Sequence, residues 1–179
     1  MTHKLVSPVL IEIRCSQMLP GEIGLFASRD LSVDTIIADA QKLGEIFVPW
    51  IDYKLVDDAQ TQHMIEKYCL RNEDGFYVPE NFNYMSVPWN MNHSCDYNVG
   101  FDEYGNFVAA RNVKAGEELF WDYGMGISYP DFNLVCRCGS KNCRKIITGS
   151  DWKNLDYMRR NKKYFMRELL SRVGSDKLI

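Results

Sequence analysis

The tetrapeptide Asn92-His93-Ser94-Cys95 decides how this chain is interpreted when it is read with a later segment, Cys136-Arg137-Cys138 and Cys143. The later three cysteines have the spacing C-x-C-x4-C, and Cys95 stands 41 positions before Cys136. Four thiolates are a ligand set that tetrahedral Zn²⁺ takes in structural sites. The sequence therefore predicts a zinc centre of Cys95, Cys136, Cys138 and Cys143, with one ligand inside a polar segment that carries an amide and an imidazole.

The length and composition are those of one globular domain. The chain has 179 residues, of which 46% are hydrophobic and 25% charged, and a chain of this length buries about 70% of the surface that its unfolded form exposes. No apolar run approaches the roughly 20 residues that span a bilayer. Ser7, Pro8 and Glu12 interrupt the N-terminal stretch, so we expect neither a membrane segment nor a signal peptide.

The six cysteines fit either disulfides or a metal site. Since no secretory signal is recognisable, we favour the metal, because reducing compartments disfavour disulfides. A four-cysteine site leaves Cys15 and Cys69, which we predict to be buried apolar residues. The expected location is intracellular: the nucleus if the source is eukaryotic, and the cytoplasm or export as an effector if it is bacterial.

The net charge of −3 is unevenly distributed. Residues 151–179 carry eight basic and four acidic side chains, and the remainder carries 13 basic and 20 acidic ones. An acidic body suits a Lys/Arg-rich protein partner, of which a histone tail is one candidate, better than nucleic acid. A solvated acidic surface that aids solubility fits the charge equally well. The sequence leaves the oligomeric state open, with a monomer expected.

Hydrophobic patterns predict a mainly β, α+β fold of short strands. Strands are expected over 9–15, 25–27, 35–38 and 118–121, a hairpin over 98–111, a helical insert over about 55–72, and one basic amphipathic helix from Asp151 to Val173. Ser150 or Asp151 is expected to cap that last helix. The cysteine segment is predicted to be irregular.

Five segments, in this order, resemble the SET-domain protein-lysine methyltransferases. They are Gly24-Leu25-Phe26-Ala27, Leu43-Gly44-Glu45, Asn92-His93-Ser94-Cys95 with Asn98, Gly116-Glu117-Glu118-Leu119-Phe120-Trp121-Asp122-Tyr123-Gly124, and the cysteine-rich 136–144, which resembles a post-SET zinc segment. The resemblance covers about residues 9–148 and implies a SET fold with a pseudoknot. It implies a SET domain over 1–133, a zinc-bound post-SET flap over 134–149 and a C-terminal helix over 150–179. It also indicates a small stand-alone member, because no cysteine-rich pre-SET block precedes the domain.

The resemblance further implies S-adenosylmethionine as cofactor, a structural zinc, and methylation of lysine in a protein substrate. Its implied site comprises Ile23, Gly24, Leu25, Asn92, His93 and Tyr123 for the cofactor, and Tyr123 with Tyr77 for catalysis. Tyr77 is assigned only by its distance of fifteen residues from Asn92. Trp121 stands where the family commonly has Phe or Tyr, a position tied to how many methyl groups are added.

Two departures keep other functions open. Gly21-Glu22-Ile23-Gly24 replaces the usual Gly-x-Gly, and Trp89-Asn90-Met91 replaces the usual Arg-Phe-Ile. A catalytically inactive SET-like module that binds a peptide or chromatin is therefore the first alternative. The second is a zinc-stabilised adaptor whose basic C-terminal helix binds nucleic acid in a salt-dependent way.

Overall fold

The computed structural model describes residues 8–173, which form twelve short strands and four short α-helices. The strands are β1 (Ile11–Cys15), β2 (Ile23–Ala27), β3 (Ile36–Ala38), β4 (Glu45–Pro49), β5 (Leu70–Arg71), β6 (Gly75–Pro79), β7 (Asn92–His93), β8 (Val99–Phe101), β9 (Phe107–Ala109), β10 (Glu118–Trp121), β11 (Asn133–Val135) and β12 (Ile146–Thr148). The helices are α1 (Trp50–Tyr53), α2 (Ala59–Tyr68), α3 (Leu155–Asn161) and α4 (Arg167–Val173). None of these helices is long and apolar enough to cross a membrane.

The central sheet has the strand order β1-β2-β10-β8-β9-β3, and β7 pairs with β10 outside this path. Strand β10 runs parallel to both β7 and β8, so one segment pairs with both ends of the 92–99 stretch. This double pairing is the arrangement expected of the predicted pseudoknot. The Asn98 carboxamide stabilises it by accepting from the Phe120 N–H at 2.8 Å and donating to the Glu118 carbonyl at 2.7 Å.

A second unit spans Glu45 to Pro79, where β4, β6 and β5 form a three-stranded antiparallel sheet with α1 and α2 beside it. The predicted helical insert corresponds to α2. Asp58 caps the start of α2, because its side chain accepts from the Thr61 N–H. The core of this second unit contains Ile65, Cys69 and Phe76. The insert therefore has a small hydrophobic core of its own beside the central sheet.

The prediction of a single C-terminal helix from Asp151 to Val173 is wrong. Asn154 accepts from the Tyr157 N–H and begins α3 afresh, while Phe165 has an extended backbone that separates α3 from α4. The predicted Ser150 cap makes no side-chain bond. The apolar face of the predicted amphipathic helix is buried, with Met158, Phe165 and Leu169 in one core cluster. Residues 174–179 lie outside the described part of the chain.

Candidate active site and metal centre

The four predicted metal ligands come together. The sulfurs of Cys95, Cys136, Cys138 and Cys143 all lie within 4.8 Å of one another, and those of Cys95 and Cys136 are 3.8 Å apart. Four sulfurs each about 2.3 Å from a central zinc would be separated by about 3.8 Å. The donor set and its spacing therefore fit a structural zinc with no open coordination position.

Backbone amides point at these sulfurs. The Arg144 N–H donates to Cys95 Sγ at 3.4 Å, the Lys145 N–H to Cys143 Sγ at 3.4 Å, and the Cys138 N–H to Cys136 Sγ at 3.5 Å. Such donors stabilise thiolates. Burial raises the pKa of the Cys136 thiol to about 11, so metal binding there must release a proton. The pairing of β11 with β12 holds the two ends of the cysteine loop together.

A cavity of about 230 Å³ lies between the central sheet and the insert. Its apolar wall includes Phe101, Phe107, Trp121, Phe132 and Met166. The charged and amide groups on its wall are the acidic Glu22 and Glu45, the basic Lys67 and Arg71, and the amides Asn90 and Asn92. A largely apolar cavity with a few polar groups is the usual form of a small-molecule site.

Tyr123 lies in this cavity, with its ring centroid 4.7 Å from that of Trp121. Its hydroxyl donates to the Met91 carbonyl at 3.1 Å. Burial raises the pKa of the Tyr123 hydroxyl above its ordinary value, so the hydroxyl is protonated at neutral pH and can donate a hydrogen bond.

Asn92 and His93 point in different directions, as expected for neighbours on a strand. Asn92 lines the cavity and donates to the Ile23 carbonyl at 2.7 Å. His93 is buried; its Nδ1 accepts from the Tyr123 N–H at 3.2 Å and its Nε2 lies 3.6 Å from Cys95 Sγ. Burial lowers the pKa of His93 to about 4, so the imidazole is neutral at physiological pH.

Most of the residues that line the cavity lie in a stretch that matches a known protein family. Residues 22–124 match the SET domain, a stretch that contains the cavity's tyrosine and the Asn-His segment. The chain belongs to the SET-domain family. That stretch covers the central sheet from β2 to β10 together with the insert, so the predicted SET fold is confirmed.

Individual relatives carry names of one enzyme class. The chain is 30% identical over 113 residues to the histone-lysine N-methyltransferase Su(var)3-9 of Drosophila melanogaster, covering 52% of this chain and 18% of that relative. It is 28% identical over 133 residues to the histone-lysine N-methyltransferase trr of the same organism, covering 69% and 5%. It is 34% identical over 84 residues to the H3 lysine-9 specific KMT1 of Fusarium mangiferae, covering 36% and 24%. The chain thus spans a quarter or less of the length of these relatives.

Gly24 of the SET domain has a packing reason to be glycine. A Cβ there would lie 2.3 Å from Glu118 Oε1. Glu118 is buried and accepts from the Ser16 hydroxyl at 2.7 Å and the Gln17 N–H at 2.9 Å. Gly24 and the fully buried Leu25 do not line the cavity, whereas Ile23 does. Of the six residues predicted to hold the cofactor, the structure brings Ile23, Asn92 and Tyr123 to the cavity wall.

Tyr77 is not among the residues lining that cavity. It lies on β6, and its hydroxyl donates to Glu168 on α4 at 2.9 Å. The tyrosine that the insert does supply to the cavity is Tyr68, the last residue of α2. The sequence offered one signal for Tyr68, its place on the apolar face of the predicted helix. Tyr77 was assigned only from its separation in sequence from Asn92, which gives no information on Tyr68.

The sequence did not predict a role for Asp122 or Arg144, although both lie in segments that resemble the family, 116–124 and 136–144. Asp122 is 0% exposed, and both of its oxygens accept from the Arg144 guanidinium, at 2.6 and 2.5 Å. An aspartate beside the motif tyrosine and an arginine beside the last cysteine were the available signals. The pair connects the tyrosine segment to the cysteine loop.

Proposed function

We propose that this SET domain is an S-adenosylmethionine-dependent protein-lysine methyltransferase. The observation that carries the proposal is the Tyr123 hydroxyl, which donates to the Met91 carbonyl at 3.1 Å in an aromatic cavity that Asn92 and Ile23 also line. The names of the relatives support the class of reaction.

When bound, S-adenosylmethionine would supply a sulfonium methyl group: the carbon is taken up by a neutral lysine amine as its bond to sulfur breaks, and S-adenosylhomocysteine is the leaving group. Asn92 and the backbone at Ile23 would hold the cofactor, since the Asn92 carboxamide offers both a donor and an acceptor. Trp121, Phe101 and Phe107 keep water away from this end of the cavity and favour the uncharged amine by desolvation. The Tyr123 hydroxyl and the Met91 carbonyl are fixed dipoles for aligning the amine, and alignment of this kind can lower a barrier by about 7–11 kcal/mol.

The proposed substrate is a Lys/Arg-rich protein, with a histone tail as the first candidate. The chain outside residues 151–179 is acidic, whereas the acidic Glu22 and Glu45 of the cavity wall are matched there by the basic Lys67 and Arg71. An acidic protein surface attracts cationic peptides and speeds their association. The relatives' names point to histones, which makes a nuclear location part of the proposal.

Incubation of the full chain with radiolabelled S-adenosylmethionine and an array of lysine peptides tests this function. We expect label on lysine in basic peptides and a loss of at least about 100-fold in the Tyr123→Phe variant, which misplaces the amine. Tyr84→Phe is the control, because Tyr84 is 84% exposed and is not among the residues that line the cavity.

Calorimetric titration with the cofactor separates the alternatives. Binding together with transfer supports the enzyme. Binding of cofactor or peptide without transfer to any peptide favours the inactive SET-like module, and a chain that binds no cofactor contradicts the proposal.

A further inference from the structure

The Arg144 side chain joins three separate segments of the chain. Its two terminal nitrogens bind both oxygens of Asp122, and its Nε lies 3.1 Å from Asp151 Oδ2. The guanidinium also stacks 4.6 Å from the centroid of the Tyr157 ring. A planar cation that binds one carboxylate with two donors and stacks on an aromatic ring has only one orientation that satisfies all three contacts.

Asp122 connects the fixed Arg144 guanidinium to the segment that contains Tyr123. It is covalently adjacent to Tyr123, and its Oδ1 accepts from the Gly124 N–H at 3.1 Å. Its carbonyl accepts from the Met125 N–H at 2.9 Å. The turn Tyr123–Met125 therefore begins at a carboxylate whose position is set by Arg144.

The backbone of Arg144 is attached to the cysteine cluster. It follows Cys143 directly, and its N–H donates to Cys95 Sγ at 3.4 Å. One residue thus contacts the predicted metal centre through its main chain and the tyrosine turn through its side chain. The remaining partner, Asp151, also accepts from the Thr148 hydroxyl at 2.7 Å, which fixes it against β12.

We propose that Arg144 is a positioning residue that holds Asp122, and through it the Tyr123 backbone, in place relative to the cysteine cluster. It is not among the residues that line the cavity. Its part in catalysis rests on the proposed function, but its part in holding the turn does not. Without its guanidinium, the buried Asp122 loses both of its charge-assisted bonds.

The test compares wild type with Arg144→Ala and Arg144→Lys by two measurements on the full chain with bound zinc. Hydrogen exchange followed by mass spectrometry should show faster exchange of the amides at 123–127 in Arg144→Ala, with zinc content unchanged. The kcat should fall about 100-fold while the KM for cofactor changes less than about threefold, because a displacement near 1 Å costs that much in rate. Added guanidinium ion should recover part of both losses in Arg144→Ala.

Arg144→Lys keeps the charge, so it guards against a variant that simply fails to fold. It should retain zinc and show intermediate exchange, since an ammonium cannot bind both oxygens in a fork. Arg14→Ala is the matched control: Arg14 also pairs with a carboxylate, Glu12, and lies over a ring, Phe26, but on the exposed strand β1.

Unchanged exchange at 123–127 in both Arg144 variants would overturn the proposal, as would an equal effect of Arg14→Ala. If wild type transferred no methyl group, the exchange measurement would still decide the positioning role, so the two proposals fail separately.

Discussion

At the scale of single residues, Trp121 bears on how many methyl groups the lysine receives. Its ring packs against Tyr123 and lies 5.3 Å from the Phe101 centroid, and the indole lacks the hydroxyl that a tyrosine would offer at this position. A water that restrains a partly methylated amine needs hydrogen-bonding partners. We therefore expect products with more than one methyl group, and a shift towards monomethyl-lysine in Trp121→Tyr, measured by mass spectrometry of the peptide.

The same substitution elsewhere serves as the control for that prediction. Trp152 is buried in the C-terminal core cluster, away from the cavity, so Trp152→Tyr should lower stability without changing the distribution of products. Wild-type protein that makes only monomethyl-lysine would contradict the interpretation of Trp121.

The two cysteines outside the cluster should differ in reactivity. Cys69 is buried as predicted, but the prediction of a buried Cys15 is wrong, because β1 is an edge strand on which Cys15 is exposed. Burial also raises the pKa of the Cys69 thiol to about 12, and only the thiolate reacts. With zinc bound, iodoacetamide at pH 8 should label Cys15 first, as read by peptide mass spectrometry, and Cys15→Ser should remove that label. Equal labelling of Cys69 would show that the insert opens readily.

At the scale of elements, Glu168 connects α4 to the insert. It accepts from the Tyr77 hydroxyl at 2.9 Å, the Asn72 amide at 3.0 Å and Arg172 at 2.8 Å. We expect Glu168→Ala to lower the free energy of unfolding by about 2–3 kcal/mol, and Tyr77→Phe to lower it by about 1 kcal/mol, measured in urea. Asp156→Ala, which removes an exposed pair with Arg159, should change it by less than about 0.5 kcal/mol.

Activity distinguishes this structural role of Tyr77 from the catalytic one predicted from sequence. Tyr77→Phe should keep its kcat if the hydroxyl only holds α4. A loss of kcat approaching that of Tyr123→Phe would instead support the catalytic role predicted for Tyr77.

Local patterns were enough to predict some elements and not others. Alternation and turn residues located β2, β10 and the β8–β9 hairpin, because the partner strands are close in sequence or strongly apolar. The break between α3 and α4 depends instead on a distant contact, the Met166 N–H donating to the Met125 carbonyl at 3.0 Å. An apolar stripe indicates which residues are buried, but it cannot show that a carbonyl forty residues away interrupts the helix.

The candidate site shows the same division. Cysteine spacing predicted that four cysteines would meet, and the family resemblance implied that Asn92 and Tyr123 share a site. It did not reveal that the His93 side chain faces the cluster rather than the cavity, since that follows from strand pairing. Nor did it reveal that the fully buried Asp122 pairs with Arg144, because the place of each residue in its own motif does not show that the two segments meet.

At the scale of the whole molecule, the cysteine cluster joins the central sheet to the β11–β12 hairpin. Cys95 belongs to the segment after β7, and the other three ligands lie between β11 and β12. Structural zinc contributes about 10–16 kcal/mol of apparent binding energy in small peptides. Removing the metal should therefore release the 133–148 hairpin from the sheet and abolish methyl transfer, while much of the β-sheet signal in circular dichroism remains.

Chelation with metal analysis checks this, and zinc added back should restore activity. Cys95→Ser should reproduce the chelated state, because it removes the one ligand contributed by the sheet side. It should also disturb Tyr123, since His93 lies between Cys95 Sγ and the Tyr123 N–H. Cys15→Ser makes the same chemical change outside the cluster and should alter neither zinc content nor rate. Full activity in protein depleted of zinc, or in Cys95→Ser, would show that the cavity holds its shape without the cluster.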